Sequence, residues 1–193
     1  MTELPDLLAE LTSGDDERAE IAAIRLPVHG EAAFTALQSL LHAENVDTRW
    51  WAIRALAQFG ASDDVTRQLV AALQDESDEV RQCAAMALCH HPRQLAVSPL
   101  IRALSDPDAM TAKLASNALI LIGAESVSAL LETLQTGSQA AKLEAVRALA
   151  EIRDPRAIPA LMKTFEKDSI LTQYWAERGL DKLGLEMIYI QPK

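Results

Sequence analysis

The sequence predicts an all-α fold, an α-solenoid of about six antiparallel helix pairs, and two observations carry that expectation. A leucine is followed fifteen residues later by an alanine, and four residues beyond that by a second leucine, six times over. The sets are Leu7, Ala22, Leu26; Leu37, Ala52, Leu56; Leu69, Ala84, Leu88; Leu100, Ala115, Leu119; Leu130, Ala145, Leu149; and Leu161, Ala176, Leu180. Successive copies lie 30, 32, 31, 30 and 31 residues apart, which marks a repeat array. The chain is also 49% hydrophobic but only 4% aromatic, and the abundance of Ala and Leu suits helices better than strands.

The register places repeats at approximately 4–30, 31–60, 61–92, 93–123, 124–154 and 155–185, in a single solenoid over 1–185 with a tail at 186–193. The first half of each repeat reads as a helix A, with apolar residues at i, i+1 and i+4: Leu69, Val70, Leu73; Leu100, Ile101, Leu104; Leu130, Leu131, Leu134; Leu161, Met162, Phe165. That is the stripe of a helix with one buried face. A polar turn follows, as at Ser105-Asp-Pro-Asp108, whose Ser and Asp residues suit the start of the next helix. Helix B then carries small residues and a leucine, as at Ala52, Ala55 and Leu56, so that neighbouring helices approach closely. Gly30, Gly60, Gly123 and Gly184 end four of the six. Stacking supplies the core that no single pair can build alone.

The ends depart from this plan. Arg25 stands where later repeats have alanine, and Pro27 cuts the first helix B short, as expected of a cap. Gly179 replaces the same alanine in the last repeat. The segment 186–190 has strand-like composition and is expected to fold back as a flap over that repeat.

Charge and composition exclude several functions. A net charge of −10 disfavours nucleic-acid partners, which need a dense basic surface. The acidic start lacks the pattern of a signal peptide, and no apolar run is long enough for a membrane span. A cytoplasmic location is expected, consistent with two cysteines, Cys83 and Cys89, about 9 Å apart along one predicted helix and beyond disulfide reach. Of His29, His42, His90 and His91, none is directly followed by glutamate, and the adjacent pair diverges by about 100° on a helix. No metal site and no catalytic residue is expected. Cys89 with His90 is the weak nucleophile–base candidate.

Asp78-Glu-Val-Arg81-Gln-Cys-Ala84-Ala-Met-Ala87-Leu88, its weaker copy from Thr48-Arg49 to Leu56, and Asp154-Pro-Arg-Ala-Ile-Pro-Ala-Leu161 resemble the short HEAT-like repeats named after phycobilisome lyases. The resemblance covers roughly residues 4 to 185. It implies that helix B lines a concave face, and it implies fold more than activity. Such repeats occur in bilin lyases, phycobilisome-degradation proteins, a diiron hydroxylase that uses His-Glu pairs, and many scaffolds. The motif arginine survives as Arg49 and Arg81, is Lys142 in the fifth repeat, and is lost at Ala19, Ala112 and Gln173, which puts a continuous arginine–aspartate ladder in doubt.

The register also identifies helix B residues that point away from the core. Positions 50, 54 and 57 lie roughly 140–160° from the direction of Ala52. Their columns contain Trp50, Leu143 and Tyr174, then Arg54, Met86, Arg147 and Arg178, with Trp51 and Trp175 adjacent. Aromatic and apolar surface interspersed with arginines has the composition of a binding surface. Trp51 and Trp175, about 100° off the core, either join that surface or pack between helices B. The expected function is a non-enzymatic interaction scaffold that binds a protein partner, or a second copy as a homodimer, through the concave helix B face. No cofactor is expected. The resemblance implies the alternative, a bilin-binding protein similar to a lyase subunit, holding a linear tetrapyrrole or a phycobiliprotein, with propionates near Arg54 and Arg147.

Overall fold

The computed structural model describes residues 3–167 and 169–185. Twelve α-helices and no strand occur among the described residues. The chain divides into two compact units, residues 1–96 and 97–193, with three repeats in each. The expected tail flap lies outside the described residues.

In the first unit, α1 (Leu4–Leu11) pairs with α2 (Asp16–Arg25), α3 (Gly30–Leu40) with α4 (Val46–Leu56), and α5 (Asp63–Ala72) with α6 (Asp78–His90). The B helices α2, α4 and α6 pack in sequence. In the second unit, α7 (Val97–Ala103) pairs with α8 (Ala109–Ile122), α9 (Val127–Thr136) with α10 (Gln139–Ile152), and α11 (Ile158–Lys167) with α12 (Ile170–Lys182). Its B helices α8, α10 and α12 likewise form a row. Short 3-10 turns, such as Leu26–His29, Ala57–Phe59 and Pro155–Ala157, return the chain from each helix B to the next helix A.

The repeated leucines and alanines are the core. No member of the six Leu, Ala, Leu sets is more than 3% exposed. The stripe on helix A is narrower than its pattern suggests. Val70, Ile101 and Leu131 are half-buried and Met162 is exposed, because the i+1 position lies one helical step around from the buried line.

Every helix B begins with a side-chain cap. Asp15, Asn45, Ser77, Asp108, Ser138 and Ser169 each accept from backbone N–H groups of the first turn. Each stands eight residues after the first leucine of its repeat, so the capping column keeps the repeat period. Capping satisfies donors that no helix can satisfy internally.

Helix B ends differ in cost. Gly123 closes α8 with φ 76°, a left-handed conformation that glycine adopts freely. Arg153 closes α10 in the left-handed helical conformation, with φ 59° and ψ 35°, and is the described non-glycine residue at positive φ. Gly179 has a different purpose. A Cβ there would come within 2.9 Å of Ala150, so the absent side chain lets α12 pack closely on α10.

Candidate functional site

In the first unit, Trp50 and Trp51 are half-buried on α4 and meet edge to face, with ring centroids 4.8 Å apart. Both line a groove of about 620 Å³, together with Leu11, Asp16, Asp47 and Glu79. The groove runs past the starts of the three B helices of this unit. Local spacing explains part of the grouping: Asp47 precedes Trp50 by three residues and Trp51 by four, which sets all three on one side of α4. Trp51 thus shares a groove with Trp50 while remaining half-buried. The three carboxylates escaped the column reading because they precede the positions it compared.

Arg54 does not line that groove. It pairs with Glu20 of the preceding repeat. Met86, on α6, is 53% exposed.

The second unit holds Leu143, Arg147, Tyr174, Trp175 and Arg178. Leu143 is half-buried. Arg147 donates from Nε to Glu144 at 2.8 Å, from Nη1 to Asn117 Oδ1 at 3.0 Å and from Nη2 to the Lys113 carbonyl at 3.1 Å. It therefore staples the fifth repeat to the fourth, as Arg54 staples the second to the first. Tyr174 is 51% exposed and meets Trp175 edge to face at 5.4 Å. The Arg178 guanidinium lies 5.8 Å from the Trp175 ring centre, donates to the Tyr174 hydroxyl at 3.3 Å, and is 3.9 Å from Glu151. These contacts make a compact aromatic–cation cluster on α12.

Of the motif arginines, Arg49 is buried. It donates from Nε and Nη2 to both oxygens of Asp75, each at 2.8 Å, and from Nη1 to the carbonyls of Ala43 and Glu44. Burial pushes the Asp75 carboxyl up, but the Arg49 hydrogen bonds, the Ser77 amide and the nearby positive charges outweigh it and hold the group below the usual carboxylate range. One arginine–aspartate rung therefore links the second and third repeats. Arg81 donates to the carbonyls of Asp75 and Glu76 in its own turn.

The remaining chemical candidates have structural surroundings. Burial pushes the Cys83 thiol up to about 12 and raises Cys89 as well, which disfavours the thiolate that a nucleophile needs. His91 is buried with Nε2 2.8 Å from the Ala57 carbonyl, whereas its neighbour His90 is exposed, so the pair diverges as the helical geometry requires. Among the described residues, no group of three or more His, Cys, Asp and Glu side chains is placed to hold a metal ion, and no helix is long and apolar enough to cross a membrane.

Comparison with known proteins places these features in context. Residues 4–88 and 66–138 match HEAT repeats, and residues 141–167 match the PBS lyase HEAT-like repeat. The chain is 27% identical over 177 residues to the phycocyanobilin lyase subunit alpha of a Picosynechococcus species, covering 81% of this chain and 66% of that relative's length. The fold is similar to an archaeal HEAT-like repeats protein from Thermococcus onnurineus, with a TM-score of 0.65 at 16% identity over 95% of this chain and 81% of that one. It is also similar to a chain of the CpcE–CpcF complex of phycocyanin lyase from a Nostoc species, with a TM-score of 0.55 at 22% identity over 95% and 78% of the two chains.

Proposed function

The chain belongs to the HEAT-repeat family, and from that premise we propose that it is a non-enzymatic interaction scaffold that binds a protein partner, or a second copy of itself, through its concave helix B face. One observation carries this reading. The eighteen residues of the repeated Leu, Ala, Leu sets all lie in the core, yet the B helices also carry large aromatic and apolar side chains outside those sets: Trp50, Trp51, Met86 and Tyr174. Side chains of this kind are enriched at the centres of protein interfaces. The CpcE–CpcF complex, to which the fold is similar, contains two different proteins held together, and this supports assembly as the general mode of action.

The second reading, a tetrapyrrole-binding protein, is favoured by the similarity to a phycocyanobilin lyase subunit. Its proposed anchors are already engaged. Arg54 holds Glu20, and Arg147 holds Glu144 and Asn117. A propionate would have to displace an internal partner that is already oriented, gaining little for a charge pair already made. The scaffold reading needs no such displacement.

Mass measurement by sedimentation, from about 1 to 100 μM, tests the scaffold reading together with biliverdin titration. The expected results are assembly above the 21.0 kDa of one chain, or capture of a partner that Tyr174→Ala abolishes, and no absorbance shift with biliverdin at tens of micromolar. A saturable biliverdin shift that Arg147→Ala removes would transfer the site to the tetrapyrrole reading.

A further inference from the structure

We infer that the tryptophan groove of the first unit is a docking site for a lysine- or arginine-bearing segment of a partner protein. This deepens the scaffold reading and rests on it, by naming the chemistry of one partner. The groove's size, about 620 Å³, is within the range of built ligand sites and ample for a long aliphatic side chain. Two half-buried indoles form part of its wall. An indole offers apolar surface to the methylene stem of a lysine or arginine and a negative ring face to its head group.

The charges around those indoles select the sign of the occupant. Asp16, Asp47 and Glu79 line the same groove. Asp16 and Asp47 have no cationic partner among the described residues. The Ser77 hydroxyl donates to Glu79 at 2.6 Å and holds its carboxyl below the ordinary range, so that it stays ionised near neutrality. Each of the three helix starts contributes roughly half a positive charge, and three full carboxylate charges exceed that sum. Of the nearby helix B cations, Arg54 is turned to Glu20, and Arg81, whose charge also lowers the Glu79 carboxyl, donates to the Asp75 and Glu76 carbonyls; neither is part of the lining.

The surrounding unit has the same sign. Residues 1–96 contain 16 acidic residues against 7 arginines and no lysine, a net of −9, whereas residues 97–193 contain 12 acidic and 11 basic residues, a net of −1. Nearly all of the chain's net negative charge therefore lies in the unit that carries the tryptophan groove. Such a field draws cationic segments toward the groove, and the indoles give them a place to settle.

The test uses the full chain carrying Trp175→Phe, which leaves Trp50 and Trp51 as its tryptophans. A blocked hexalysine peptide is titrated against their fluorescence in 50 mM salt, with hexaglutamate as the comparison. The expected result is a saturable change with hexalysine at about 100 μM or below and none with hexaglutamate. Affinity should fall about tenfold in 500 mM salt, and about tenfold in the double variant Asp16→Asn/Asp47→Asn. Asp6→Asn/Glu31→Gln removes the same charge from exposed positions on α1 and α3 and should change affinity less than about twofold. Equal loss in both double variants, binding undiminished by the first, or no saturable change up to about 1 mM overturns the assignment. Assembly of the chain without hexalysine binding also overturns it while leaving the scaffold reading intact.

Discussion

The two units share a plan and hold their repeats together by different means. In the first, a buried ion pair, Arg49 with Asp75, joins two turns and reaches four acceptors. In the second, the corresponding arginine is Lys142, and the turns meet through the Ser105 and Ser138 hydroxyls, 3.1 Å apart. Its close contact is apolar instead, with Gly179 of α12 against Ala150 of α10. Both units also carry side-chain staples between helices B, Arg54 to Glu20 in the first and Arg147 to Asn117 and Lys182 to Glu151 in the second; what differs is the added contact, a charge pair in one and the absence of a methyl group in the other. The aromatic exceptions differ in the same way. Trp50 and Trp51 stand among carboxylates, whereas Tyr174 and Trp175 stand beside Arg178. A uniform repeat thus supports two surfaces of different chemistry.

The largest effect that separates the units is expected from Arg49→Ala. Removing one partner of a buried pair costs about 3–5 kcal/mol, and hydrogen exchange should show the loss concentrated in α3 to α6. The same variant changes the response to acid. The folded-state pKa of Asp75 is depressed, so its stabilisation is complete above the unfolded value of about 3.9 and is lost as pH falls through the lower folded value. Arg49→Ala should therefore narrow the stability difference between pH 6 and pH 3. An unchanged difference would mean that the rung contributes nothing.

Gly179→Ala is the matching test in the second unit. The added methyl meets backbone as well as side-chain atoms of Ala150, so a shift of α12 is required, at a cost of about 1–3 kcal/mol in urea unfolding. The smallest effect runs the other way. Arg153→Gly should stabilise by about 0.5–1 kcal/mol, because glycine relieves a left-handed backbone that arginine holds at a cost. A loss on this substitution would mean that the Arg153 side chain contributes more than its backbone costs.

The fold was legible in the sequence because each repeat writes its core in the same places. Leu69, Ala84 and Leu88 are buried for the reason that Leu130, Ala145 and Leu149 are, and the capping residues keep the same period. The division into units was not legible, since the spacing is nearly uniform across residue 96. At the candidate site, helical geometry gives the direction of a side chain from its own axis, and this turned Trp50 and Tyr174 away from the Leu–Ala line; Tyr174 is exposed and Trp50 half-buried. It does not give what the neighbouring repeat places opposite. Glu20 lies 34 residues from Arg54, and Asn117 lies 30 from Arg147, so those pairings depend on how successive helices B are offset. The groove carboxylates needed the same information, apart from Asp47, whose spacing to Trp50 was visible.

Urea unfolding of Trp50→Ala beside Leu100→Ala tests most directly whether the proposed binding residues are distinct from those that hold the repeats together. Leu100 is fully buried and its truncation should cost about 2–5 kcal/mol, whereas Trp50→Ala, which removes a half-buried indole, should cost about 1–2 kcal/mol. A loss from Trp50→Ala as large as that from Leu100→Ala would contradict the account, because Trp50 would then belong to the core.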